Sequence, residues 1–246
     1  MKRIKLTVAY DGTAYCGWQI QPNGITIEEV LNRALSHLTG EEIRLIGASR
    51  TDAGVHARGN VAVFDTRSAI PPERFPHAVN PLLPEDIAVV GAEEVSPDWH
   101  PRYQPSVKTY EYHILNREFP DPLRRTDSWH VSFPLDIGKM RQAAEYLKGE
   151  HDFRSFCSIH TGVKTTVRTV CELDVEKTGE MVVIRIQGNG FLYNMVRIIA
   201  GTLVEVGRGF RAPEEVKDIL EAQDRNRAGA TAPPRGLVLS SIEYRG

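Results

Sequence analysis

The chain has 246 residues, 41% of them hydrophobic and 25% charged, enough apolar material for one large core or two small ones. Its formal net charge is −2, which excludes a protein that holds nucleic acid by overall charge, so any RNA-binding surface must gather its cations on one face. The three cysteines form no Cys-x-x-Cys pair, the segment Met1–Tyr10 lacks the apolar stretch of a signal peptide, and no apolar run approaches the roughly 20 residues that span a bilayer, so a cytoplasmic protein with reduced thiols and no membrane anchor is expected.

Alternation of apolar and polar residues predicts a strand over Ile4 to Tyr10, closed by a turn at Asp11-Gly12-Thr13. Thr26 is suited to cap a helix whose apolar stripe runs Val30, Leu31, Ala34, Leu35 and Leu38, with Gly40 as its stop. Strands are expected over 43–48 and 60–65, a short helix from Pro71 to Asn80, and another strand from Ile87 to Val95. A Pro-rich stretch over 96–106 separates residues 1–105 from 106–246, where strands are expected over 107–115 and 129–131. Asp136 caps a helix reaching Leu147. A hairpin joins 166–176 to 181–187, a helix runs from Phe191 to Val206, Pro213 opens another, and Leu237 to Tyr244 closes the chain as a strand. Hairpins outnumber crossovers, which argues for an α+β fold with a largely antiparallel sheet, and for two similar halves forming one catalytic unit.

Between the strands over 43–48 and 60–65 lies Arg50-Thr51-Asp52-Ala53-Gly54-Val55-His56-Ala57. Asp and Gly suit a plain turn. Asp52 and His56 would share a face for a metal only on a helix, which Gly54 opposes, and no further ligand stands nearby. What sets the segment apart is the density of Arg50, Asp52, His56 and Arg58 between two apolar strands. Gly188-Asn189-Gly190 precedes a helix and fits two readings, amides that meet a phosphate or a tight turn, and no phosphate loop or dinucleotide fingerprint occurs.

The segment Arg50 to Ala57 resembles the catalytic motif of the TruA family of tRNA pseudouridine synthases. The resemblance extends through Tyr10-Asp11-Gly12-Thr13, Asn80-Pro81-Leu82-Leu83-Pro84-Glu85-Asp86-Ile87, Lys108-Thr109-Tyr110-Glu111-Tyr112, Gly149-Glu150-His151-Asp152-Phe153, Phe191-Leu192-Tyr193-Asn194-Met195-Val196-Arg197 and the closing segment 228–237. This chain has Ser49 where the family usually has Gly, Asn60 where Gln is common, Trp99-His100-Pro101-Arg102-Tyr103 for Phe-His-Ala-Arg-Phe, and Ala230 for Pro.

The resemblance implies two ferredoxin-like halves sharing a mainly antiparallel sheet with a central active-site cleft. It implies isomerisation of uridine to pseudouridine in tRNA at positions 38, 39 and 40 of the anticodon stem-loop, with no cofactor and no metal, by a homodimer. Asp52 would be the nucleophile, kept ionised against burial by Arg197. Tyr110 would stack on the uracil turned out of the RNA, while Tyr112 on the same strand face remains structural. Arg58 would handle the extruded nucleotide, Arg50 and His56 would contact the substrate, and Arg154, Lys164, Arg168 and Arg208 are candidates for phosphate contacts. Two other readings stay open from the residues alone: an RNA-binding protein whose chemistry is secondary, and a metal-dependent RNA hydrolase using Asp52 and His56.

Overall fold

The computed structural model describes residues 1–158 and 163–245. The chain divides into two compact units, residues 1–106 together with the end of the chain from 239, and residues 107–238.

The first unit contains β1 (Lys2–Tyr10), α1 (Ile27–Thr39), β2 (Ile46–Gly47), β3 (His56–Thr66), α2 (Phe75–Val79) and β4 (Ile87–Val95). β1 lies between β3 and β4 and is antiparallel to both. Alternate residues Ile4, Leu6, Val8 and Tyr10 are buried, as a strand with one core face requires. The Thr26 hydroxyl accepts from the Glu29 amide at the start of α1, and Gly40 ends it in the left-handed region at φ 72°. The buried face of α1 is Ile27, Leu31, Ala34 and Leu35. Phe64 of β3 meets Phe75 of α2 edge to face at 5.4 Å.

Three expectations for this unit change. The strand over 43–48 shrinks to Ile46–Gly47, because the Ile43 amide donates to Ser36 Oγ and the Leu45 amide to Asn32 Oδ1, which withdraws both from a ladder. The helix over 71–80 breaks into two 3-10 turns flanking a five-residue α2, since Pro76 and Pro81 each remove a helical N–H. β3 reaches back to His56, and a bulge between the Val8–Asn60 and Tyr10–Ala57 pairs gives it one extra residue at Arg58-Gly59.

The second unit holds β5 (Ser106–Asn116), β6 (Trp129–Val131), α3 (Ile137–Glu145), β7 (Gly149–Asp152), β8 (Val167–Thr178), β9 (Met181–Gly188), α4 (Met195–Gly207) and α5 (Glu215–Ala222). Its strands run in the order β5, β9, β8, β7, all antiparallel, with β6 added parallel to β5. The four-residue β7 is too short for a period to show in sequence. α4 is buried at every position except Arg197 and Glu205, so it forms the centre of this unit's core, and α3 packs against it and against β8. α4 starts at Met195 rather than Phe191, because Asn194 stands in the left-handed region at φ 61° and stops the helix running further back. The last strand, β10 (Leu237–Tyr244), begins in the second unit and continues into the first. Both units are α+β and mostly antiparallel, as the hairpin-rich pattern implies. No helix among the described residues is long and apolar enough to cross a membrane.

Candidate active site

The loop carrying Asp52 is held from below by backbone bonds. The Ala48 amide donates to Val61 O at 2.7 Å, Trp18 N to Thr51 O at 3.0 Å, and Gly54 N to Tyr15 O at 3.3 Å, while the Val55 amide turns back to Asp52 O at 3.1 Å. The 15–18 segment approaches so closely that a Cβ on Gly17, already at φ +85°, would lie 2.5 Å from Thr51 O. Side chains add a second set of ties. Asn60, fully buried, donates through Nδ2 to Ser49 O at 3.0 Å and to Tyr10 Oη at 3.2 Å, and the Tyr10 hydroxyl lies 2.7 Å from Thr51 Oγ1. Thr51 and Val55 are buried and Asp52 between them is half-buried, so the loop presents a carboxylate from a fixed frame. The Ser49 hydroxyl is buried with no hydrogen-bond partner among the described residues, at the position where the resembled motif carries Gly.

His56 is the first residue of β3 and is nearly buried. Its Nδ1 lies 3.1 Å from the Gly12 amide and 3.1 Å from Asp11 Oδ1. The neutral ring can accept from Gly12 through this nitrogen, whereas a proton there would face Asp11 instead. Burial pushes the Asp11 carboxyl up, but hydrogen bonds from the Thr13 hydroxyl and amide, with His56 alongside, outweigh it and hold the group below the ordinary carboxylate value. Arg50 is exposed at the loop's tip, and Arg58 is exposed on the bulge. The first unit thus gathers Arg50, Asp52, His56 and Arg58 within one loop and the strand that follows.

The second unit holds Tyr110 and Arg197. Tyr110 of β5 meets the Phe191 ring edge to face at 5.1 Å. Tyr110 is buried at 9% exposure, and Tyr112, on the same face, is fully buried with its hydroxyl donating to Pro233 O at 2.7 Å; burial raises the Tyr112 pKa although Arg197 and Arg235 pull it down. Arg197 sits in the first turn of α4, its Nε donating to Ala232 O at 2.7 Å and its Nη1 to Asn194 Oδ1 at 2.8 Å. Asn194 in turn donates to Ser158 Oγ at 2.8 Å. The left-handed residue that starts α4 therefore also aims its arginine. A Cβ on Gly201 would fall 1.8 Å from Ala230 O, so the 228–232 segment lies directly on α4 and brings Ala232 to Arg197.

Tyr10, Thr51 and Asn194 lie in the segments that carry the family resemblance and Asn60 departs from it, but nothing in the sequence says that these four side chains hold the frames. The Gly188-Asn189-Gly190 segment does not open a helix. Asn189 is tied to Thr169 by both backbone and side chain, and α4 begins several residues later. Of the other cationic candidates, Arg154 and Lys164 are exposed. Arg168 donates to the carbonyls of Thr165 and Val167, and Arg208 is stacked at 4.3 Å from both the Phe133 and Phe210 rings. No group of three or more His, Cys, Asp or Glu side chains that could hold a metal ion occurs among the described residues.

The sequence profile described as "tRNA pseudouridine synthase" matches residues 6–104 and 143–245. Proteins named tRNA pseudouridine synthase A resemble the chain throughout its length. The one from Thermoanaerobacter sp. (strain X514) is 51% identical over 244 residues, covering 99% of this chain and 100% of that one. Those from Brevibacillus brevis and Moorella thermoacetica are each 50% identical, again over 99% of this chain and all of theirs.

Proposed function

Since the chain belongs to the tRNA pseudouridine synthase family, we propose that it isomerises uridine to pseudouridine at positions 38, 39 and 40 of the tRNA anticodon stem-loop, with Asp52 as nucleophile. It is an isomerase acting on uridine in tRNA, and the positions and the residues' roles are the extension. The observation that carries the roles is the Asp52 loop, where a half-buried carboxylate is fixed on both sides by Thr51 and Val55.

The reaction breaks the ribose C1′–uracil N1 bond and makes a C1′–C5 bond. The proton leaves C5 and N1 gains one, so atoms and redox state balance without a cofactor. A nucleophilic or charge-stabilising Asp52 must be ionised. Arg197 supplies the positive charge for that, and a guanidinium already aimed by Asn194 and Ala232 loses little freedom in doing so. Tyr110 offers the extruded uracil a ring surface and is the candidate acceptor of the C5 proton. Arg58, on the bulge, holds the turned-out nucleotide, and Arg50 and His56 contact the substrate. Turning the base out costs a few kcal/mol, which phosphate contacts must offset. The halves 1–105 and 106–246 act as one catalytic unit, and the enzyme works as a homodimer in the cytoplasm.

The test is release of tritium from C5-labelled uridine in tRNA. Wild-type protein releases it and Asp52→Ala does not, by at least about a thousand-fold, while tRNA binding persists. Wild-type protein that binds tRNA but releases none would remove the reading. Strand scission abolished by a chelator would replace it with hydrolysis.

A further inference from the structure

The segment between β4 and β5 carries a feature that the reaction does not use. Tyr103 is 81% exposed, far more than a tyrosine with a packing role. Its ring is nevertheless not loose. It lies on the His100 imidazole with ring centres 4.0 Å apart and planes only 15° from parallel. The turn that makes this stack is tightly bonded: the Tyr103 amide donates to His100 O at 3.1 Å, and the Arg102 amide donates to His100 Nδ1 at 3.2 Å. The second bond uses the imidazole Nδ1 as its acceptor and so holds the ring in place from the backbone.

The turn is also tied to its surroundings on three sides. Arg102 Nε donates to Gly47 O at 3.0 Å, in the strand that feeds the Asp52 loop. Arg3 Nη1 donates to Trp99 O at 3.1 Å, and the Tyr244 hydroxyl donates to Pro101 O at 3.0 Å. Trp99 itself packs edge to face on Tyr244 at 4.8 Å, and Lys5 stands 5.6 Å from both rings. One flat face of Tyr103 is thus backed by His100 on a braced turn and the other is open to solvent, while Arg3 and Lys5, which brace the turn and Trp99, are themselves paired with Asp65 and Glu93.

We propose that Tyr103, backed by His100, is a stacking platform for an unpaired base of the tRNA substrate, separate from the residues that break and make bonds. A protein partner would be met by a larger apolar patch, whereas here a single exposed, pre-stacked ring matches the flat face of one base. The pairing with His100 removes most of the rotamer freedom that binding would otherwise have to freeze. The proposal rests on the reading of the chain as a tRNA-modifying enzyme.

The experiment measures binding of an unmodified tRNA transcript, and turnover at saturating transcript, for the wild type, Tyr103→Ala, Tyr103→Phe and Tyr103→Trp. Loss of one base stack is expected to raise Kd for Tyr103→Ala by roughly 5- to 100-fold, while Phe and Trp retain binding. The slope of log Kd against log salt stays unchanged, because a stack releases no counterion, and kcat at saturation stays within two-fold. The high exposure of Tyr103 makes unfolding no obstacle, and the thermal midpoint checks it. A Kd for Tyr103→Ala within two-fold of wild type overturns the platform while leaving the enzyme reading intact. A wild-type protein that does not bind the transcript overturns the tRNA reading instead. A drop in kcat with unchanged Kd would show that Tyr103 acts in the chemistry, and would also overturn the platform.

Discussion

Thr51 makes two attachments of different kinds, one through its carbonyl to the Trp18 amide and one through its hydroxyl to Tyr10. The carbonyl tie survives any side-chain change, so the hydroxyl can be examined alone. Thr51→Val keeps the shape and removes that bond, leaving the Tyr10 and Asn60 groups to rearrange in a buried site. A displacement of the neighbouring Asp52 by a fraction of an ångström to one ångström is expected to lower kcat by about 10- to 100-fold with Kd for tRNA nearly unchanged. Thr51→Ser keeps the oxygen and should restore most of the rate. If Thr51→Val turns over normally at saturating tRNA, the side-chain ties do not set the position of Asp52. Asp11 offers a residue-scale test by pH. Its folded pKa is depressed, so its contribution to stability is complete above the ordinary carboxylate value near 4 and is lost as pH falls from there through the lower folded value. The stability difference between wild type and Asp11→Asn should therefore shrink on acidification below about pH 4, measured by chemical denaturation at each pH; a difference constant across that range would show that the Thr13 and His56 contacts do not favour the charged form. Asp52 stands out as a candidate in the sequence because the whole eight-residue motif surrounds it. Thr51 and Asn60 were not legible as supports, since a side chain's hydrogen-bond partner from a distant strand leaves no mark at its own position.

At the scale of elements, what the sequence conveys well is the type of each segment, and what it conveys poorly is where a segment stops. The β1 and α1 patterns are long and regular, and both fold as read. The errors have local causes: amides captured by Ser36 and Asn32 before β2, prolines dividing the 71–82 stretch, and the left-handed Asn194 delaying α4. The last of these bears on the role proposed for Arg197, because the irregular start places Asn194 beside it. The same helix depends on closeness to the 228–232 segment. Gly201→Ala would drive a Cβ into Ala230 O, where backbone rather than a flexible side chain must yield. Destabilisation of about 1–3 kcal/mol is expected, seen as a lower denaturation midpoint, with loss of activity as Ala232 withdraws from Arg197. A variant of wild-type stability would mean that this segment adapts at little cost.

For the molecule as a whole, composition conveyed the class but not the charge arrangement, because a net charge of −2 over 246 residues says nothing of where the 30 Lys and Arg and the 32 Asp and Glu stand. The Pro-rich stretch over 96–106 lies next to the boundary between the two units, but no periodicity announces that the final residues return to the first. That return orders events during synthesis. Residues 1–106 leave the ribosome first, yet the strand residues from 239 that complete their unit, including the Tyr244 that packs on Trp99 and bonds to Pro101, leave after the whole of 107–238. The first unit thus stands without its last strand while residues 107–238 are made, whereas the ties that hold the Asp52 loop, all within residues 10–61, need nothing from that later segment.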